Sequence, residues 1–326
     1  MRIKKYYKLI KVDYEDSAYF RITNTSNTGG FFTITRNGSP TTADLKYSLD
    51  GVNWTTADLS TDFSLEVDAG ANVYMKGTNT SGFNSSNNNY YKMAMDVDHT
   101  IGGNIMSIVD ETNYATITST PTYCFSHLFY GDTHLVNAGG VNFGGVTSIT
   151  NYGCSNMYSN CTSLTTGSDL SSVTIIGWYG CSYMYSGCTS LTTPIDLSSV
   201  TSITNYGCQD MYYGCTSLTT PSDLSSVTSI GNNGCQSMYY GCTSLTTGSD
   251  LSSVTSIGGY GCGSMYGICT SLTKVIAPNI STWDASIFSG WLDSAPATGV
   301  VRKPAGLTIP TDTTSGVPTG WTTEDY

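Results

Sequence analysis

Charge is scarce in this 326-residue chain: Asp, Glu, Lys and Arg make up only 11% of it, against a typical ~25% in soluble proteins. Basic residues are the rarer sign, 13 against 24 acidic, for a formal net charge of −11. A surface so poor in Lys and Arg repels a phosphate backbone, and no basic stripe interrupts it, so nucleic acid is excluded as a partner. Histidine is limited to His99, His127 and His134, and no G-x-S-x-G motif accompanies them, so the usual signature of a nucleophilic hydrolase is missing. No apolar run approaches the ~18 residues of a membrane-spanning helix. The opening MRIKKYYKLIKVDYEDSAYF starts basic, but charged and aromatic residues break it before the apolar core of a signal peptide forms. We therefore expect no membrane insertion and no encoded route to secretion.

What the chain has instead is repetition. Cys154, Cys181, Cys208, Cys235 and Cys262 lie 27 residues apart, and so do Cys161, Cys188, Cys215, Cys242 and Cys269. CTSLTT begins at the second cysteine of each unit, ending as CTSLTK in the fifth, and one full unit reads NYGCQDMYYGCTSLTTPSDLSSVTSIG (205–231). A period of 27 lies in the range of solenoids, whose units bury their apolar faces only by stacking on one another. Cys154, Met157, Tyr158, Cys161 and Leu164 are spaced i, i+3, i+4, i+7, i+10, which predicts a short helix. Leu170, Val173 and Ile176 follow in a β-prone stretch. Strands about 4.8 Å apart on one side and helices about 8–10 Å apart on the other would make the array curve.

The two cysteines of a unit are seven residues apart, about 10 Å along a helix, and helices 8–10 Å apart would separate matching cysteines as well. A disulfide needs Cα atoms within about 7 Å, and the C-x2-4-C pairs of zinc sites are lacking. All ten repeat cysteines are accordingly expected to form a buried core thiol ladder, with disulfides and metal the less favoured alternatives and no cofactor. Asp169, Asp196, Asp223 and Asp250 form a column one unit apart. Calcium would explain it, but a turn in which each carboxylate accepts a backbone N–H explains it more simply.

The segment SSVTSIGNNGCQSMYYGCTSLTT (225–247) resembles the BspA-like leucine-rich repeats of bacterial surface proteins, and the resemblance extends over roughly residues 120–275. Two features depart from the family: units longer than usual, and no secretion signal. The resemblance implies proteins of the surface of gut Bacteroidales or of the virions of their phages. It extends to the flanks: LKYSLDGVNWTT is like the small β domain preceding such repeats, and SGVPTGWTTEDY like their closing segment.

The resulting expectation is a mixed α/β repeat fold: a leucine-rich-repeat-like solenoid, preceded by a small all-β sandwich and closed by a C-terminal cap. Residues 1–110 would form the sandwich, on hairpin signals such as RNGS and LDGVNW. Residues 111–150 would be a linker and capping repeat, in which Asp132 replaces the second cysteine and Cys124 is left unpaired. Residues 151–275 would be five repeats, and 276–326 the cap, with Trp283, Phe288 and Trp291 plugging the open core.

Function is sought where the units differ. Trp178, Asn205, Asn232 and Gly259 share one column; Ser159, Ser186, Tyr213, Tyr240 and Gly267 another; Tyr183, Asp210 and Ser237 a third. These columns are expected to face solvent. Trp178, Tyr183, Asn205, Tyr213, Asn232 and Tyr240 are the candidate ligand-binding residues, since aromatic faces and amides suit sugars and equally suit a protein surface. No catalytic residue is assigned. The expected protein is non-enzymatic: a phage fibre, head-decoration or tail-tip subunit located in the virion, binding a bacterial surface glycan or protein. Its N-terminal domain would contact other virion proteins. A purely structural virion component and an adhesin of the bacterial cell surface are the alternatives. A homo-oligomer is allowed for, although no residue pattern specifies a threefold interface.

Overall fold

A computed structural model describes residues 19–312 and 314–326. The first strands are β1 (Phe20–Asn24), β2 (Gly30–Asn37), β3 (Lys46–Ser48), β4 (Thr55–Thr56), β5 (Phe63–Val67), β6 (Asn72–Lys76), β7 (Tyr90–Met95) and β8 (His99–Asn104). They form two sheets, β5-β2-β7 and β4-β3-β6-β1-β8, antiparallel throughout. Alternating burial gives several of them one inward face, as in β1, β6 and β7. Phe20, Ile22, Phe32, Ile34, Val73 and Met75 are buried in the core the sheets share.

The second sheet does not stop there. Its strand β9 (Leu135–Asn142) pairs in parallel with β8 and belongs to the first coil of the solenoid. The next coil joins β9 through Ala138 N–H to Thr166 O (2.9 Å) and an Asn142–Asp169 bridge, so hydrogen bonding runs unbroken from sandwich to solenoid.

In the solenoid, two-residue strands stack in parallel, one per coil: β10 (Ser148–Ile149), β11 (Ile175–Ile176), β12 (Ser202–Ile203), β13 (Ser229–Ile230) and, after β14 (Thr247–Asp250), β15 (Ser256–Ile257). A second parallel ladder continues from β14 through β16 (Lys274–Ile276) and β17 (Gly299–Lys303) to β18 (Trp321–Asp325). Between the ladders lie the buried columns of Cys, Met, Tyr, Leu, Val and Ile.

The expected helix is absent, and with it the mixed α/β class: the described residues hold no α-helix, only two short 3-10 turns at Ile105–Ile108 and Tyr114–Thr116. Residues 150–161 instead form a ribbon of overlapping turns. Every second N–H closes a local turn, as from Met157 to Cys154 O (3.2 Å) and from Cys161 to Tyr158 O (3.0 Å). The N–H groups between them reach the next coil: Cys154 to Gly180 O (2.8 Å), Asn156 to Ser182 O (2.9 Å), Tyr158 to Met184 O (2.9 Å). Positive φ recurs every fourth residue, at Tyr152 (55°), Asn156 (57°) and Asn160 (62°). Buried pairs recurring every four residues give the same i, i+3, i+4, i+7 pattern as a helix, so the spacing alone does not separate the two.

The ribbon also removes the expected source of curvature. Its coils are joined by direct hydrogen bonds, and the buried rings Tyr158, Tyr185, Tyr212, Tyr239 and Tyr266 stack at 5.2–5.7 Å. Both sides of the coil thus advance by a strand-like step, not by the 8–10 Å of packed helices. Matching cysteines are therefore closer than expected, and helix spacing no longer argues against a bond between them. All eleven nonetheless stand as buried free thiols.

At the C-terminal end the ribbon is continued once more. Ser264, Tyr266 and Ile268 donate to Ser289, Trp291 and Asp293 carbonyls (2.8–2.9 Å). Phe288 and Trp291 are buried there, with Trp283 stacked on Phe288 at 3.7 Å. The indole N–H groups of Trp283 and Trp291 are anchored on Ser315 and Gly316 carbonyls (2.8 and 2.7 Å).

Candidate recognition surface

The variable positions lie along the turn ribbon, and only the Tyr183, Asp210 and Ser237 column among them takes positive φ. One edge carries a ladder that lies outside the three columns singled out from the sequence. Tyr123, Tyr152, Tyr179 and Tyr206 stack face to face at 4.5–4.9 Å with rings within 10° of parallel. The Tyr-Gly pair recurs in every repeat but the fourth, where Asn233 replaces the tyrosine. The usable signal is the glycine: in the later repeats a Cβ at Gly207 or Gly234 would meet the inward Ile203 or Ile230 methyl at 2.8 or 2.7 Å, which leaves the preceding residue at the rim.

Trp178 stands across this ladder. It is edge-on to Tyr152 (5.3 Å, 69°) and Tyr179 (5.2 Å, 62°) and 44% exposed. The ladder rings cover one another's faces, whereas a ring set across them keeps free surface for a ligand. Beside it, Asn205 Oδ1 accepts the Asn232 N–H (2.8 Å), and Asn232 Oδ1 accepts the Gly259 N–H (2.8 Å). These asparagines thus spend their oxygens tying coils together and keep their amide NH2 groups for a ligand.

On the middle of the face Tyr183 is exposed, but Asp210 in the same column is buried. Burial pushes the Asp210 carboxyl up to about 6, while a hydrogen bond from Tyr183 opposes the rise. Tyr183 in turn is pushed up to about 12, first by burial and then by the Asp210 charge. At the other edge Tyr213 is 43% exposed and stacks on the half-buried Tyr240 at 5.1 Å. Ser159 of that column is buried, so the expectation that all three columns face solvent holds only for part of them.

The ten cysteines 154, 161, 181, 188, 208, 215, 235, 242, 262 and 269 lie in the core. Those at 188, 215, 242 and 269 donate their thiol to a tyrosine carbonyl of the preceding coil at 3.1 Å, and Cys161 does so to Phe129 O at 3.0 Å. Burial raises their pKa values, to about 12 at Cys181, Cys262 and Cys269, which removes the thiolate that reaction or metal binding requires. Cys124, also buried and pushed up to about 12, occupies the glycine position of its coil. Each column aspartate accepts an N–H two residues on: Ser171, Ser198, Ser225 and Ser252, at 2.8–2.9 Å. That is the turn role, and no group of three metal-ligating side chains occurs among the described residues.

His99 and Asp132 face each other at 3.1 Å (Nε2 to Oδ2), fully buried between the sandwich and the first coil. His127 lies against Tyr90 at 4.5 Å with Nδ1 2.8 Å from Ser126 Oγ, and burial pushes it down to about 4. No helix among the described residues is long and apolar enough to cross a membrane.

No family model matches the sequence, nor does any curated protein. Among solved structures the chain is similar to the crystal structure of a leucine-rich repeat protein from Bacteroides ovatus. The identity is 16%, over 64% of this chain and 73% of that one, with a TM-score of 0.17. A superposition that loose carries no argument. The description of this chain as a leucine-rich-repeat-like solenoid rests on its own stacked coils, with Leu164, Leu191, Leu218, Leu245 and Leu272 buried in one column.

Proposed function

We propose that this chain is a non-enzymatic recognition protein whose turn ribbon binds the surface of a bacterial cell. The observation that carries the reading is the outward placement of Trp178, Tyr183 and Tyr213 on a backbone fixed by coil-to-coil hydrogen bonds. Large aromatic side chains on a rigid frame lose little conformational entropy on binding, which is what a recognition surface needs. A surface glycan or a surface protein is the ligand class, met by ring faces and the free amides of Asn205 and Asn232. The BspA-like resemblance supports a phage virion as the setting, with the β-sandwich attaching the subunit to the particle.

The test is binding of labelled protein to a panel of Bacteroidales strains, with soluble capsular polysaccharide as competitor. Strain-specific binding that falls more than tenfold in Trp178→Ala or Tyr213→Ala, with unchanged melting temperature, is the expected result. Equal binding by wild type and both variants would remove the ribbon from the account. Failure to bind any strain would favour a structural role, and a protein inventory of purified virions separates that from a bacterial adhesin.

A further inference from the structure

The ladder β10-β11-β12-β13-β15 has unlike ends. At each step the later coil donates backwards: the N–H groups of Thr174, Thr201, Thr228 and Thr255 reach the threonine carbonyl one coil earlier at 2.8–3.0 Å. Those of Gly177, Thr204, Gly231 and Gly258 reach the isoleucine carbonyl at 2.7–2.9 Å. At the first edge the pattern is completed by Thr118, whose carbonyl accepts from Thr147 and Ser148 (2.8 and 3.1 Å). At the last edge it is not. The Thr255 and Ile257 carbonyls have no hydrogen-bond donor among the described residues.

The capping coil is the reason. Asn279 N–H meets Val254 O at 2.8 Å, and the next backbone bond to that coil is Tyr260 N–H to Ser286 O at 3.0 Å. Between those two points the chain bows away from β15, leaving an open cleft of about 710 Å3 lined by both. The apolar column records the same gap. Ile149, Ile176, Ile203 and Ile230 are buried to 2% exposure or less, whereas Ile257 is only partly buried, as are Ile280 and Ile287 across the cleft.

We infer that this cleft binds an extended peptide as a sixth strand, parallel to β15. Two N–H groups of the peptide donate to the Thr255 and Ile257 carbonyls, as those of Thr255 and Gly258 donate to Thr228 and Ile230, and a β-branched apolar side chain sits over Ile257 against Ile280 and Ile287. Acceptors two residues apart on an edge, about 6.6 Å, are the pair that each earlier coil presents to the next, and an added strand meeting them is the pairing used in β-augmentation. A sugar fits less well, because no aromatic ring lines the cleft among the described residues. A cation fits less well too, because the cleft's carboxylate, Asp284, already accepts the N–H and hydroxyl of Ser286 (2.8 and 2.7 Å). The inference is independent of the ribbon reading.

The probe is a fluorescently labelled peptide with the sequence SSVTSIGNN, residues 225–233 of the chain itself, titrated against the full-length protein by anisotropy. Saturable binding is expected, weakened at least tenfold by Ile257→Lys and by replacing the peptide's isoleucine with aspartate, and unchanged by Trp178→Ala. Ile257 is already partly exposed, so the lysine variant keeps the fold. The peptide replacement gives the same reading without touching the protein. No saturation at millimolar peptide, equal binding to Ile257→Lys, or loss of binding in Trp178→Ala would each overturn the inference.

Discussion

Asp210→Asn should stabilise the protein at neutral pH, and the gain should fade on acidification. Asp210 sits at a positive φ of 52° in the middle of the ribbon, buried, with no cation paired to it among the described residues. Its folded pKa of about 6 lies above the ordinary 3.8. The folded state therefore holds the proton more tightly, and stability is lost as pH rises from about 4 to about 6. At about 1.4 kcal/mol per unit the shift corresponds to about 3 kcal/mol. Partial solvation of the carboxylate reduces that to about 1–2 kcal/mol. Asparagine keeps an acceptor for Tyr183, tolerates the left-handed conformation and carries no charge. The advantage of the variant should be about half gone by pH 5 and nearly absent by pH 4. Comparing variant with wild type is essential, since His127, with its pKa lowered to about 4, costs stability in the opposite direction as pH falls below about 6.5. Urea unfolding at about pH 7, 5 and 4, with midpoints compared at equal m-values, makes the measurement. A variant no more stable than wild type at neutral pH, or an advantage that persists undiminished into acid, would refute the reasoning.

Three further outcomes are expected. Tyr212→Phe should cost about 1–3 kcal/mol in urea unfolding, because the Tyr212 hydroxyl accepts the buried Ile195 N–H (3.1 Å) and pairs with Ser222 Oγ (2.8 Å); Tyr213→Phe, on the surface, should change stability by less than about 0.5 kcal/mol. Ile268 holds a φ of 58° at a position that Gly187, Gly214 and Gly241 occupy in the preceding coils at 70–75°. Ile268→Gly should therefore raise stability by about 1 kcal/mol in the same assay, where a loss would show that the strain is not present. A colorimetric thiol reagent at mildly alkaline pH should find all repeat cysteines slow in the native protein and all eleven reactive in denaturant, and a shortfall in denaturant would reveal disulfides.

The candidate surface was only partly legible. Trp178 and Tyr213 announce themselves by breaking a repeat, and both are exposed. Asp210 breaks the repeat too, yet points where the ribbon buries it, since packing against the neighbouring coils decides whether a side chain at the turn leaves or re-enters the surface. The Tyr123–Tyr206 ladder ends where Asn233 breaks the repeat, a difference outside the three columns singled out from the sequence.

By itself the sequence determined the register. A 27-residue period obliges equivalent residues to stack, and that fixed the columns of Cys, Leu, Val and Ile and the recurrence of the aspartate turns. Only the tertiary structure decided what the columns are made of. Whether Cys154 to Leu164 coil as a helix or fold as a turn ribbon depends on where every second N–H finds its acceptor, and those acceptors lie a full coil away, as Gly180 does for Cys154. The same long-range bonds set a strand-like step on both sides and leave the Thr255 and Ile257 carbonyls without a donor among the described residues at the end of the stack. Local spacing carries no information about partners that distant.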